Sequence, residues 1–453
     1  MSTENLESRI RRFGSPIRML RESSPRRFQF PYPDQHTNWQ DEQQAWMKSA
    51  TLFDQSHHMT DVYFKGPDVK RLLSDTGTNS FATFGRDKAK HLVTCTEDGH
   101  IIGTAVLFGL EEDEVNVVGP AATANWLQFQ AETNGYDVEV IRDERTQDKG
   151  GRPRLTFRYE IEGPNSLDIV DKANGGPIDR VKFFQMTEFT LGGVPVRALS
   201  HTMVGTPGSA SMGLEIWGPV AEGPRVLDTL LAAGEEFGLV RGGALAYYTG
   251  SIESGYMAQP TAAVYTREHM KPYREWLSGD GYEGKLSIGG SFRSDDVEDY
   301  YMTPYDFDYG HLVRFDHDFI GRSALEEAAR QPHRKKVWLR WSDEDVARVY
   351  ASSLFDGDKR AKYLETPLAR YARIQADAVY SGDQLVGMST LCGYTVNVGS
   401  WFSVAMVNEE QARDGVEVSV LWGEENGGTA KRTVERHVQT PIRATVCTQC
   451  PSR

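Results

Sequence analysis

The stretch Gly213-Leu214-Glu215-Ile216-Trp217-Gly218-Pro219 restricts this chain more than any other. One acid stands in an otherwise apolar run that stops at Gly-Pro. That is the pattern of a β-strand whose single carboxylate points into a pocket or an interface. A buried carboxylate is costly unless donors meet it. The donors are either backbone N–H groups, which makes Glu215 structural, or a ligand ring carrying amino and N–H groups side by side. On this segment alone the structural reading is the better of the two.

The rest of the chain has room for several domains. It has 453 residues, 39% of them hydrophobic and 43 of them glycine, as in a folded, loop-rich protein. Acids number 64 against 50 basic residues, a net charge of −14. Nucleic acid and anionic membrane surfaces call for the opposite sign, so neither is expected as a partner. A small anionic ligand stays open, since a few local Arg or Lys residues suffice. No apolar run approaches membrane-spanning length, and Met1 to Phe13 lacks the apolar core of a secretory signal, so the cytoplasm is the expected address. Four cysteines are too few for a disulfide scaffold. Cys447-Thr448-Gln449-Cys450 has metal or redox spacing, but it lacks a second pair and reads as a tail feature, so no metal is expected.

The pattern divides into an extended arm over 1–38, an α+β region over 39–330, a β-rich domain over 333–447 and a tail over 448–453. The arm interleaves Pro25, Pro31 and Pro33 with Phe28, Phe30 and Tyr32. Strand-like runs at Asp61–Phe64, His91–Thr94, Ile101–Phe108, Glu114–Val118, Thr156–Ile161, Val194–Ser200 and Gly213–Trp217 alternate with helical patterns over 121–134, 165–171 and 220–237. Two rounds of strands and helices predict α+β layers rather than a doubly wound parallel sheet. After the charged linker at Gln331-Pro332-His333-Arg334-Lys335-Lys336, the remaining strand signals predict a barrel or jelly roll.

Several enzyme classes drop out. Gly289-Gly290-Ser291-Phe292 lacks the Lys-Ser/Thr ending of a phosphate loop, and Gly423-Glu424-Glu425-Asn426-Gly427-Gly428 puts acids where an anion would sit. No Gly-x-Gly-x-x-Gly fingerprint follows a strand, which disfavours a nicotinamide enzyme, and there is no Gly-x-Ser-x-Gly elbow. His57-His58 follows Phe53-Asp54-Gln55-Ser56. Adjacent histidines on an extended segment face opposite ways, which suits one cleft-lining ring better than a chelate. Tyr247-Tyr248 precedes Ile252-Glu253-Ser254-Gly255, and a tyrosine can protonate a leaving oxygen of similar pKa, such as a phenolate. The plainer readings are a surface histidine and two aromatics packed at a strand end.

Taken in order, Glu162-Gly163-Pro164, Gly213–Pro219, Ile252–Gly255 and Asp318-Phe319-Ile320-Gly321-Arg322 resemble the glycine-cleavage T-protein superfamily, the folate-dependent aminomethyltransferases. Phe53–Met59, Tyr273-Arg274-Glu275-Trp276-Leu277, Gly289–Phe292 and Glu298-Asp299-Tyr300-Tyr301 are similar to its branch of tetrahydrofolate-dependent aryl ether demethylases acting on vanillate and related lignin acids. The resemblance implies a T-protein-like fold of two interleaved α+β subdomains plus a C-terminal β-barrel. It also implies tetrahydrofolate as co-substrate and an aromatic ether as substrate. Glu215 matches the acid that holds the pterin, beside Trp217. Tyr247 matches the tyrosine needed for chemistry, and His58 a substrate-pocket histidine. Glu253 and Tyr256 fall in the segment lining the folate cleft, Tyr256 where a tryptophan is usual. Phe30, His57 and Pro120 fall at the aromatic-substrate end.

The departures narrow the expectation. Gly103 and Thr104 replace an acidic pair of the T-proteins, which disfavours glycine cleavage. Pro120 replaces an Arg that pairs with the substrate carboxylate, and Phe30 replaces a Tyr, which points to an uncharged aryl ether. A short insertion, Ser209-Ala210-Ser211-Met212, precedes Gly213. The expected reaction is therefore cleavage of a methylenedioxy bridge, as in sesamin, giving a catechol and 5,10-methylenetetrahydrofolate. The alternatives are O-demethylation of a vanillate-, syringate- or guaiacol-type methoxyarene to 5-methyltetrahydrofolate, and folate binding without turnover.

Overall fold

The computed structural model describes residues 4–23, 28–204, 213–258, 260–427 and 431–452. Pro25, the segment from Thr206 through the inserted Ser209–Met212, and Gly428 lie outside them. The chain is α+β throughout, with two sheet-and-helix layers and a closed barrel.

The first sheet runs in the order Leu239–Arg241, Ala50–Asp54, Thr156–Glu162, Gly213–Pro219, Val194–Ser200, Met186–Leu191. Only its Leu239–Arg241 edge pairs in parallel. The second sheet is antiparallel, in the order Ala89–Cys95, Ile101–Glu111, Glu114–Gly119, Thr60–Lys65, Glu139–Asp143. The two are interleaved because the chain lays one strand in the first sheet, builds all of the second, and then returns.

Period-2 alternation explains what each face of the first sheet does. Leu214, Ile216, Tyr159 and Ile161 pack on one side against Ile169 and Val170 of helix Ser166–Asn174 and Val226 and Leu230 of helix Gly223–Gly234. The same alternation sends Arg158, Glu160, Glu162, Glu215 and Trp217 to the opposite side. Glu215 stands directly across from Glu160, and Gly213 across from Glu162.

The barrel is ordered Lys335–Trp341, Ser400–Val407, Gln384–Thr395, Asp377–Ser381, Glu417–Trp422, Thr440–Cys447. Its interior holds Leu339, Trp341, Val379, Val420 and Trp422. The sequence reading did not find the strand Gln384–Thr395, whose glycines and hydroxyl residues dilute the apolar signal. It also did not find the helix Asp343–Phe355, which starts at an Ser342 cap.

Two local readings need correction. The arm expected over 1–38 begins with two helices, Leu6–Phe13 and Pro16–Glu22, capped by the Asn5 and Ser15 side chains and separated by left-handed Gly14. Tyr247 and Tyr248 lie on a helix, Ala244–Ser254, not at a strand end. That helix is packed on most sides, so it lacks the apolar stripe that betrays a surface helix. Among the described residues, no helix is long and apolar enough to cross a membrane.

Candidate active site

The polar face of the first sheet, the end of the second, helix Ala244–Ser254 and barrel residues Met388, Thr390 and Met406 enclose a cavity of about 880 Å³. That is a volume suited to a ligand of drug or cofactor size. Of the residues singled out from sequence, His58, Pro120, Glu215, Tyr247 and Tyr256 line it.

Tyr247 and His58 come from segments 189 residues apart and meet with Oη and Nε2 at 2.9 Å. Phe30 packs on both, its ring 5.3 Å from His58 and 5.9 Å from Tyr247. Burial pushes the His58 imidazole down to about 3, helped by the charges of Arg154 and His57. The ring is therefore neutral at pH 7. Burial, and next the charge of Glu160, hold the Tyr247 phenol well above its ordinary value, so it carries its proton. His57 turns away from the cavity. Its Nδ1 lies 2.9 Å from Thr146 Oγ1 and its Nε2 3.5 Å from Asp54, which pins the 144–148 loop.

Glu215 is ionised. Burial works against the charge, but Arg158 and His201 outweigh it and bring the carboxyl down to about 2. One oxygen takes Arg158 Nη1, and the other lies 2.6 Å from His201 Nε2. The pairing continues inward: Arg158 Nη2 donates to Asp61 at 2.7 Å, Asp61 also takes Arg154, and Arg154 Nε donates to Asp143 at 2.9 Å. A carboxylate has about four lone-pair sites, so Glu215 keeps acceptor capacity for the cavity after its two partners. Two partners that the sequence did not single out, Arg158 and His201, thus aim the acid.

Two of the expected folate contacts sit elsewhere. Trp217 lies outside the lining residues, packed edge-on to Phe108 at 5.2 Å with Arg158 and Arg197 over its ring. Glu253 also lies outside the lining. It is buried, accepting from Trp46 Nε1 at 3.0 Å and Asn397 Nδ2 at 3.2 Å, and so ties helix Trp39–Lys48 to the barrel. Trp217 shares Glu215's strand face but packs farther along it on Phe108 of the second sheet, and Glu253 turns away because neighbours on a helix face different sides. Glu253→Ala is expected to lower stability by about 1–3 kcal/mol, the cost of leaving those donors unpaired. Urea denaturation should show the loss, while ligand affinity measured on the folded variant stays unchanged.

The sequence also gave no weight to Arg145. It lines the cavity with its guanidinium 6.0 Å from the Phe28 ring, paired with Asp148. Nor did it give weight to the repeat Arg158-x-Glu160-x-Glu162. Three charged residues at period 2 in a buried strand were the available signal.

Residues 20–264 match the family of the GCVT N-terminal domain. The chain is 42% identical to a syringate O-demethylase of Sphingobium sp. (strain SYK-6), over 91% of this chain and 88% of that one. It is 27% identical to a sesamin methylene transferase of Sinomonas sp. (strain No.22), over 81% and 80%. Its fold is similar to that of glycine cleavage system aminomethyltransferase T from Bartonella henselae, with a TM-score of 0.60 at 17% identity over 97% and 99% of the two chains.

Proposed function

The chain belongs to the GCVT family, and from that premise we propose that it transfers a methyl group from a methoxylated aromatic acid of the syringate type to tetrahydrofolate. One observation carries this reading: Tyr247 and His58, hydrogen-bonded to each other, line the same cavity as Glu215. The stronger likeness to a syringate O-demethylase than to a sesamin methylene transferase weighs the same way, against the bridge-cleaving reaction expected from sequence.

The residues fit the co-substrate. An ionised acid with spare acceptor sites, among the apolar walls of Val106, Tyr256 and Met257, suits a reduced pterin with adjacent N–H donors. Tetrahydrofolate, when bound, supplies the N5 nucleophile: the N5–C bond forms, the methyl C–O bond breaks, the aryl oxygen gains a proton and N5 loses one. Tyr247 donates its phenol proton to the departing aryl oxygen. His58 holds that phenol in line, and Phe30 packs against both. Positioning and proton donation are the two large terms in such a reaction. Pro120 offers the substrate no charge; Arg145, which also lines the cavity and pairs with Asp148, is the cation we assign to the carboxylate of such an arene. The four free thiols suit a reducing compartment, in keeping with the cytoplasm.

A second reading, opening of a methylenedioxy bridge, is favoured by Pro120 and by the sesamin-acting relative. Anaerobic incubation with tetrahydrofolate and syringate, guaiacol or sesamin, with the folate product identified by mass, separates the two. 5-Methyltetrahydrofolate from syringate supports demethylation. Methylenetetrahydrofolate from sesamin alone overturns it. Folate bound with no product from any arene makes the chain a binding protein. Arg145→Met should raise KM for syringate about tenfold and leave guaiacol unaffected. Because His58 is already neutral, kcat is expected to stay level from pH 5.5 to 8; a fall on acidification with a midpoint near 6.5 would contradict the assigned state of that ring.

A further inference from the structure

Glu160 and Glu162 lie on the cavity-side face of strand Thr156–Glu162, and both are fully buried. Each carboxylate has one oxygen engaged. Glu160 Oε2 accepts from the Gln55 amide, and Glu162 Oε1 accepts from Met203 N at 2.7 Å. The other two oxygens, Glu160 Oε1 and Glu162 Oε2, have no donor, although the two carboxyls are within hydrogen-bonding reach of each other. Gly213, directly opposite Glu162, makes the space: a Cβ there would press on the Glu162 carboxylate and the His201 carbonyl.

The charges around the pair are too few for two ionised acids. Arg158, on the same strand face, is engaged by Glu215 and Asp61. His201 Nδ1 stands 3.7 Å from Glu160 Oε1, but its Nε2 faces Glu215. Thr202 and Gln55 are neutral, and among the described residues no Lys or Arg comes within 4 Å of either acid. Two buried, unpaired negative charges side by side are strongly unfavourable. One proton placed between the two donor-less oxygens removes one charge and satisfies both atoms.

We propose that Glu160 and Glu162 are an acid–carboxylate pair that holds one proton and one negative charge, and that this standing charge, acting through Gln55, adds to the effect of burial in favouring the phenol form of Tyr247. The first half is independent of the reaction. The second rests on the reading of Tyr247 as proton donor. Gln55 links the pair to the tyrosine: its amide meets Glu160 and also interacts with the Tyr247 oxygen. The pair gains and loses no proton over a cycle, since the one released from N5 replaces the one that Tyr247 gives to the aryl oxygen. These are positioning residues.

Infrared spectroscopy of the free protein tests the shared proton. Wild type minus E160Q, or wild type minus E162Q, should show the C=O stretch of a protonated carboxyl, because an amide replaces the protonated member. Either variant that folds is sufficient, and difference spectra without that band overturn the pair whatever the enzyme's substrate. The kinetic arm tests the second half. Each single variant keeps one charge and should retain kcat within about threefold and the wild-type alkaline limb. The double variant E160Q/E162Q, of the same shape but without charge, should shift that limb down by about one pH unit or more. Limbs that coincide in all four proteins would show that the charge does not act on Tyr247.

Discussion

Tyr247→Phe is expected to lower kcat by about 10²–10⁴-fold, the range that a positioned proton donor contributes, while folate affinity changes by less than about threefold. The substitution removes one oxygen from a ring that is otherwise held by Phe30 and Phe53, with ring centroids 5.9 and 5.4 Å away. The cavity wall therefore keeps its shape, while the proton and the hydroxyl's contacts with His58 and Gln55 are lost. Single-turnover measurements with saturating tetrahydrofolate read the chemical step, and equilibrium titration reads the binding. A variant that keeps its turnover would remove Tyr247 from the chemistry and leave His58 as the donor to test. A variant that loses folate affinity in proportion to rate would make the tyrosine a binding residue instead.

Arg158→Met is expected to lower stability by about 3–5 kcal/mol at pH 7.5, because it leaves Glu215 and Asp61 short of their shared cation. Each acid keeps partners, His201 for Glu215 and Arg154 with Asn116 for Asp61, so the chain is still expected to fold. The pH dependence follows from the direction of the shift. Glu215 has a depressed pKa in the folded state, so its contribution is fully present above the ordinary carboxylate value of 4.5 and fades as pH falls toward 2. Without Arg158 the folded-state pKa rises and that contribution shrinks. The stability gap between wild type and variant should therefore stay level down to about pH 4.5 and be narrower at pH 3 than at pH 7.5. Urea midpoints at the two pH values measure it, and a gap that is constant with pH would mean that the loss comes from packing on Phe108 and Trp217 rather than from charge.

How far the chain is legible before folding depends on the range of the interaction. The strand around Glu215 could be recognised because alternation is a property of neighbours, and Val194–Ser200 has the bounds expected for it. Helix Ala244–Ser254 escaped because burial on most sides erases the stripe that periodicity detects. The two arm helices escaped although Asn5, Ser15 and Gly14 mark their ends, because the prolines and aromatics that follow dominate the composition. Glu215 stood out as a lone acid, but its setting did not: Arg158 and Glu160 belong to a strand more than fifty residues away, and only the register of the two strands brings them together.

By itself the sequence determined the α+β layering and the barrel signals of the last third, and it supplied the candidates for chemistry, because periodicity, composition and motif order are local or ordered along the chain. The tertiary structure alone decided which of those residues share a cavity. It turned His58 inward to Tyr247 and His57 outward to Thr146, and it aimed Glu253 at Trp46 and Asn397 instead of the cavity. It also set Arg145 on the cavity wall and buried Glu160 and Glu162 on the strand face that carries Arg158. The physical reason is that a side chain's face follows from strand register and from helix rotation against its neighbours. A shift of one residue reverses a strand's two faces, and no local pattern records the partner that fixes it.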